Sequence, residues 1–170
     1  DNISEGTGKS MQNDIDSLFQ VRPAGYDDIN DIMEITKGAF TRYRDITGIS
    51  RVDALTETYD DIKHDIDTKL VLLAMSGREA CGCVRLEINP DNSAYLTRFA
   101  VKVTKQNNGI GKSIMNIVDG IALKRGIKRI YLHTDSKMAS LIRFYYGRGF
   151  YIDSTDKSRG YVRALLVKDY

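Results

Sequence analysis

Gln106-Asn107-Asn108-Gly109-Ile110-Gly111-Lys112-Ser113 stands between a strand-like run, Ala94 to Val103, and a run with apolar residues at helical spacing. That second run carries Ile110, Ile114, Ile117, Val118, Ile121 and Leu123 and stops at Gly126. A glycine-rich turn from strand into helix suits an anion. The first helical N–H groups have no intrahelical acceptor, and the positive end of the helix dipole points outward. Glycines at 109 and 111 let a pyrophosphate approach the backbone without a Cβ in the way, and Lys112 and the Ser113 hydroxyl can add contacts. Position eliminates two other phosphate loops. A nucleotide P-loop requires glycine five residues before Gly111, where Gln106 stands; the dinucleotide fingerprint requires a third glycine at 114, where Ile114 stands. Gly6-Thr7-Gly8-Lys9-Ser10 fails the same test, since Ile3 occupies the first glycine position and no strand precedes it.

Outward from this stretch the chain alternates strand-like and helix-like segments. Leu18 to Arg22 reads as a strand ended by Pro23. Asp27 and Asp28 then cap a helix with Ile29, Ile32, Met33, Ile35 and Phe40 at helical spacing. A second helix is expected from about Val52 to Ile66. Strands follow at Lys69 to Met75, Ala80 to Ile88 and Ala94 to Val103, joined by turns at Gly77-Arg78 and Asn89 to Asn92. Beyond the glycine-rich stretch and its helix, Ile127 to His133 is a strand and Lys137 to Tyr146 a helix. Phe150 to Asp153 and Tyr161 to Val167 form a last strand pair. With no repeat or linker, residues 11–170 read as one mixed α/β domain.

The pattern Gln-x-x-Gly-x-Gly over Gln106 to Gly111, preceded by Phe99-Ala100-Val101, resembles motif A of the GNAT (N-acetyltransferase) superfamily. Farther on, Leu141-Ile142-Arg143-Phe144-Tyr145-Tyr146-Gly147-Arg148-Gly149-Phe150 looks like that superfamily's motif B. Two partial matches in the right order cover about Ala94 to Phe150; upstream, only the element pattern agrees. The resemblance implies a central, mostly antiparallel sheet splayed at its fourth and fifth strands and flanked by about four helices. It implies acetyl-CoA as acetyl donor, held by Phe99, Ala100 and Val101 and by Gln106 through Ser113, with a small-molecule or peptide amine as acceptor. It also implies direct attack of the amine on the thioester, with Tyr145 as the acid that protonates the departing thiolate. A hydroxyl of pKa about 10 is a competent donor to a thiolate. Its neighbour Tyr146 would point roughly 100° away around the helix. A non-catalytic acyl-CoA-binding module of the same fold is the alternative.

Three positions depart from the pattern. Met138 stands where many members carry asparagine, and Gln106 where arginine is at least as common, so one charged phosphate contact becomes neutral. The glutamate that often activates the amine on the fourth strand is missing between Ala94 and Val103; Glu87, Glu57 and His133 are candidate bases, a base through ordered water or an amine arriving already neutral is equally open, and the base stays unassigned. In the family the acceptor site is shaped by the first two helices with their connection and by the last hairpin. Here those are Phe40 to Arg51 and Ser154 to Tyr161, with Tyr43, Arg44, Asp45, Arg51 and Arg159.

Composition bounds the remaining classes. The 170 residues carry 25 Lys and Arg against 23 Asp and Glu, a net charge of +2, too balanced to imply nucleic acid or an acidic membrane as partner. A chain this long buries on the order of two-thirds of its unfolded surface and needs no metal or disulfide to cohere. Cys81 and Cys83 flank Gly82 and would share one face of a strand, too few to enclose a metal. Leu70 to Met75 is far short of a membrane span, so a cytoplasmic location is the default expectation. Asp1 to Ser10, polar and aperiodic, reads as a disordered leader or tag before Met11. Oligomeric state stays open, a homodimer included.

Overall fold

A computed structural model describes residues 19–170. The leader reading of Asp1 to Ser10, Met11 and the start of the first expected strand at Leu18 lie outside the described residues. Strands β1 (Gln20–Pro23), β2 (Leu70–Ser76), β3 (Glu79–Ile88), β4 (Ser93–Val101), β5 (Arg129–Asp135), β6 (Tyr151–Asp156) and β7 (Arg163–Asp169) form one sheet in the order β1-β2-β3-β4-β5-β7-β6. Every neighbouring pair is antiparallel except β4 with β5. Helices α1 (Ile29–Thr47) and α2 (Tyr59–Thr68) pack on one face through Ile29, Ile32, Ile35 and Ile62. Helix α3 (Ile110–Arg125) and helix α4 (Ala139–Gly147) cover the other, with Ile114, Met115, Val118 and Tyr145 buried there. Each such aliphatic side chain contributes about 1.5–3 kcal/mol on burial, so the sheet is held between two apolar layers.

Two boundaries differ from the sequence reading for local reasons. The expected helix from Val52 is a 3-10 turn at Asp53–Leu55; α2 begins only after Thr58. There Asp61 N–H donates to Thr58 Oγ1 at 3.2 Å and Thr58 N–H donates to Asp61 Oδ2 at 2.9 Å, a capping box that fixes the start. Helix α1 runs on past Phe40 until Gly48, whose φ of 72° accommodates the left-handed end.

Two bulges reset the sheet. Ala74 faces Gly82 while Met75 faces Ala80, so Cys81 is an extra residue and the alternation of β3 slips. Cys81 and Cys83 therefore do not share a face, as simple alternation implied: Cys81 joins the core under α3 and Cys83 the core under α1. The second bulge is on β4. Cys83 pairs with Ala100 and Arg85 with Thr97, leaving Arg98 and Phe99 opposite Val84 alone, and Arg98 adopts φ 52°.

The feature that makes a site is the parting of β4 from β5. Their ladder holds only at Ser93–Arg129, Ala94–Ile130 and Tyr95–Tyr131, after which the strands run on without pairing. The main-chain groups of Leu96 to Val101 that face β5 thus have no ladder partner there, a state that needs a ligand or solvent. Gly82 lets the start of α3 sit directly on this region. A Cβ at 82 would lie 2.9 Å from Ile114 Cδ1 and 3.1 Å from the Ala100 carbonyl oxygen.

Candidate active site

A cavity of about 890 Å³ opens where the strands part. Its walls come from α1, from Tyr95 to Val101 of β4, from residues 106–112, from Leu132 to Thr134 of β5 and from α4. This volume lies toward the upper end for ligand pockets, room for a donor and an acceptor together.

At one end lies the glycine-rich turn. Asn107 (φ 66°) and Gly109 (φ 82°) turn the chain sharply into α3. The first helical bond is Ser113 N–H to the Gly109 carbonyl, and no side chain caps the helix start. The N–H groups of Gly109 to Lys112 therefore stay available to an anion. Gly111 has a further reason to be glycine: a Cβ there would meet Phe99 Cζ at 3.1 Å and Phe144 Cζ at 3.5 Å. Of the residues singled out in this stretch, Gln106 to Lys112 line the cavity, whereas Ser113 is buried and does not.

Gln106 is held at both ends of its amide. Its Nε2 donates to the Val101 carbonyl at 3.2 Å, and its Oε1 accepts from Arg42 Nη1 at 2.5 Å. Arg42, on α1, thus brings a second cation to the turn beside Lys112, one that its position 64 residues away concealed.

Midway stands an aromatic cluster. Phe99 stacks on Phe144 at 5.6 Å, and Tyr145 meets Phe99, Phe144 and Phe150 at 5.3–6.1 Å between centroids. Tyr145 is buried yet lines the cavity, and burial pushes its hydroxyl above the usual phenol range, so it stays protonated. Tyr146 is half exposed and does not line the cavity. Met138 is buried at the start of α4 and reaches the wall through apolar surface only.

At the far end Tyr95 and His133 face each other across the strands, Tyr95 Oη 2.8 Å from His133 Nδ1. Tyr95 also stacks on Tyr131, which accepts from Asn89 Nδ2 at 3.2 Å. Burial, then Arg163, lowers the imidazole below its ordinary 6.5. The other two candidate bases are elsewhere. Glu57 is buried against Arg85 at 2.6 and 2.7 Å and Arg98 Nε at 3.3 Å; Glu87 is half exposed, 3.9 Å from Lys69. Neither lines the cavity. Tyr43 does, and its hydroxyl accepts the Asp135 N–H at 2.9 Å. Arg44 lies beside Asp45, and Arg51 beside Asp53, both on the surface.

The sequence matches the acetyltransferase (GNAT) family over residues 29–150, and the chain belongs to that family. No curated protein matches it in sequence. Among solved structures it is similar to the PaiA N-acetyltransferase of Thermoplasma acidophilum in complex with coenzyme A, with TM-score 0.78 and 21% identity, over 89% of this chain and 99% of that one. Ard1 of Thermoplasma volcanium matches with TM-score 0.73 and 15% identity over 89% and 97%. A spermidine N-acetyltransferase SpeG chimera from Vibrio cholerae matches with TM-score 0.72 and 17% identity over 89% and 95%. At these identities the structures attest the fold. Among the described residues no helix is long and apolar enough to cross a membrane.

Proposed function

We propose that the chain is an N-acetyltransferase that moves an acetyl group from acetyl-CoA to a primary amine, small-molecule or peptide, by direct attack on the thioester. The observation that carries this reading is the meeting, in one cavity, of an uncapped helix start, an unpaired strand edge and a buried tyrosine. The residues fit the donor at each point. The N–H groups of Gly109 to Lys112, with Lys112 and Arg42, suit a pyrophosphate. At Phe99, Ala100 and Val101, main-chain groups on the β5 side of β4, other than the Val101 carbonyl that accepts from Gln106, suit an amide-bearing arm and a carbonyl oxygen on which charge develops.

Acetyl-CoA, when bound, supplies an acyl thioester. Neutral His133, acting through Tyr95, takes the proton that the amine nitrogen sheds as the new N–C bond forms. Tyr145 holds the proton that goes to sulfur as the C–S bond breaks, and its raised pKa keeps that proton in place until thiolate appears. Among the described residues no Asp or Glu lines the cavity to serve as base.

Calorimetry with coenzyme A and acetyl-CoA, followed by thiol release in the presence of a panel of amines, tests the reading. Binding with acceptor-dependent release is expected. Tight binding without release from any amine identifies a non-catalytic acyl-CoA module instead. Absence of any heat with either cofactor form overturns the assignment.

A further inference from the structure

We propose that the acceptor amine carries an anionic group of its own, a carboxylate or a phosphate, and that Arg98 receives it. The proposal rests on the acetyl-transfer reading and specifies the acceptor class for the same cavity. Three cationic side chains line the cavity, Arg42, Arg98 and Lys112, and among the described residues no Asp or Glu does. Two of the three belong to the glycine-rich turn: Lys112 is part of it, and Arg42 binds Gln106 beside it. Arg98 is left over. On β4 it follows Tyr95, which bonds the proposed base, and directly precedes Phe99, which packs against Tyr145; all three residues line the cavity.

Its geometry is that of a receiving group. Among the described residues its hydrogen-bond partner is Glu57, reached through Nε at 3.3 Å, which leaves the two Nη groups for a ligand. A guanidinium fork of this kind matches the oxygens of a carboxylate or phosphate. Its backbone sits at φ 52° in the bulge, a conformation that costs a non-glycine residue energy and that surrounding structure must hold. The bulge turns a residue out of the β3–β4 register within the stretch of β4 that lines the cavity.

The nearby acidic groups do not cancel this cation for a ligand. Glu57 is shared by Arg85 and Arg98, Asp65 lies against Arg85 and Lys69, and Asp156 against Arg163. Asp135 is buried, its Oδ1 accepting the Lys137 N–H and its Oδ2 without a hydrogen-bond partner among the described residues. None of the four carboxylates lines the cavity. Burial lowers the His133 pKa and raises that of Tyr95; at both groups Arg163 and Arg159 pull downward, with Asp156 opposing them at His133, so two further cations lie near the acceptor end. A polyamine would press its remaining ammonium groups against this wall; an amine bearing an anion would be drawn to it.

The test uses the whole chain and matched amines: β-alanine, β-alaninamide, 2-aminoethyl phosphate and spermidine. Expected is a kcat/KM for β-alanine or 2-aminoethyl phosphate roughly ten-fold or more above the amide and spermidine, the size of one charge-assisted hydrogen bond; the better of the two names the anion. Arg98→Gln should erase this preference through KM with kcat retained, and Arg98→Lys should restore part of it. Equal or better turnover of the amide or spermidine overturns the proposal. If no amine is acetylated, the transfer reading fails on its own. Calorimetric titration of the same amines into coenzyme A-saturated protein then decides: selective binding of the anionic amines, lost in Arg98→Gln, supports the Arg98 role, and its absence sinks it.

Discussion

Tyr95 Oη lies 2.8 Å from His133 Nδ1, bridging β4 and β5 just past their last rung, Tyr95–Tyr131. The pair couples an imidazole that burial keeps neutral to a hydroxyl on the cavity wall, an arrangement suited to collecting a proton from an incoming nitrogen.

The first expectation concerns pH. His133 titrates below its ordinary 6.5, so it accepts a proton throughout the neutral range and loses that capacity only when already protonated at lower pH. With a weakly basic amine as acceptor, kcat/KM should be flat above about pH 6.5 and fall below it. His133→Ala should lower kcat by about 10²–10⁴-fold and remove the acid limb. An unchanged limb in that variant would exclude His133 as the base.

Tyr145→Phe should lower kcat by about 10²-fold while leaving coenzyme A affinity and melting temperature nearly unchanged. The ring contacts with Phe99, Phe144 and Phe150 survive the substitution, and only the proton is lost. Intact turnover would remove Tyr145 from the chemistry.

Arg42→Ala should weaken coenzyme A binding by roughly ten-fold, as loss of a charge-assisted contact does, with the deficit shrinking at high salt. Gln106→Arg, added to that variant, should recover affinity by returning the charge to the turn itself. Unaltered binding in Arg42→Ala would confine Arg42 to holding Gln106.

Glu57→Gln should cost stability rather than chemistry. Arg85 is fully buried and donates two hydrogen bonds to Glu57 and one to Asp65, so neutralising Glu57 leaves the buried cation with Asp65 as its one charged acceptor among the described residues, a loss of about 3 kcal/mol. In a chain of this size that is a melting-point drop of roughly 6–12 °C. At a temperature where the variant is folded, kcat should match the parent. A fall in kcat without a fall in melting temperature would return Glu57 to the list of bases.

The parts of this molecule legible in its sequence are those whose signals are local. Gly109 and Gly111 sit beside each other in the chain and in space, and the apolar spacing of α3 follows from its own residues. The end of α1 and the start of α2 carry local signals too, Gly48 and Thr58 with Asp61, which lie outside the apolar spacing of the two helices. Arg42 and Arg98 were hidden for a different reason. One reaches the site by the packing of α1 across the sheet; the other depends on a one-residue slip in β4 that no composition announces. The pairing of Tyr95 with His133 likewise arises from tertiary register between strands 38 residues apart.

The slip at Cys81 leaves the two thiols back to back, each sealed in a different apolar layer. They cannot be joined by oxidation, and burial raises both pKa values, Cys83 to about 11, so neither reacts while the layers stay closed. The chain therefore carries one latent reporter per layer. Alkylation of Cys81 times the lifting of α3, and alkylation of Cys83 times the lifting of α1. A ligand that clamps the gap between β4 and β5 should slow both clocks.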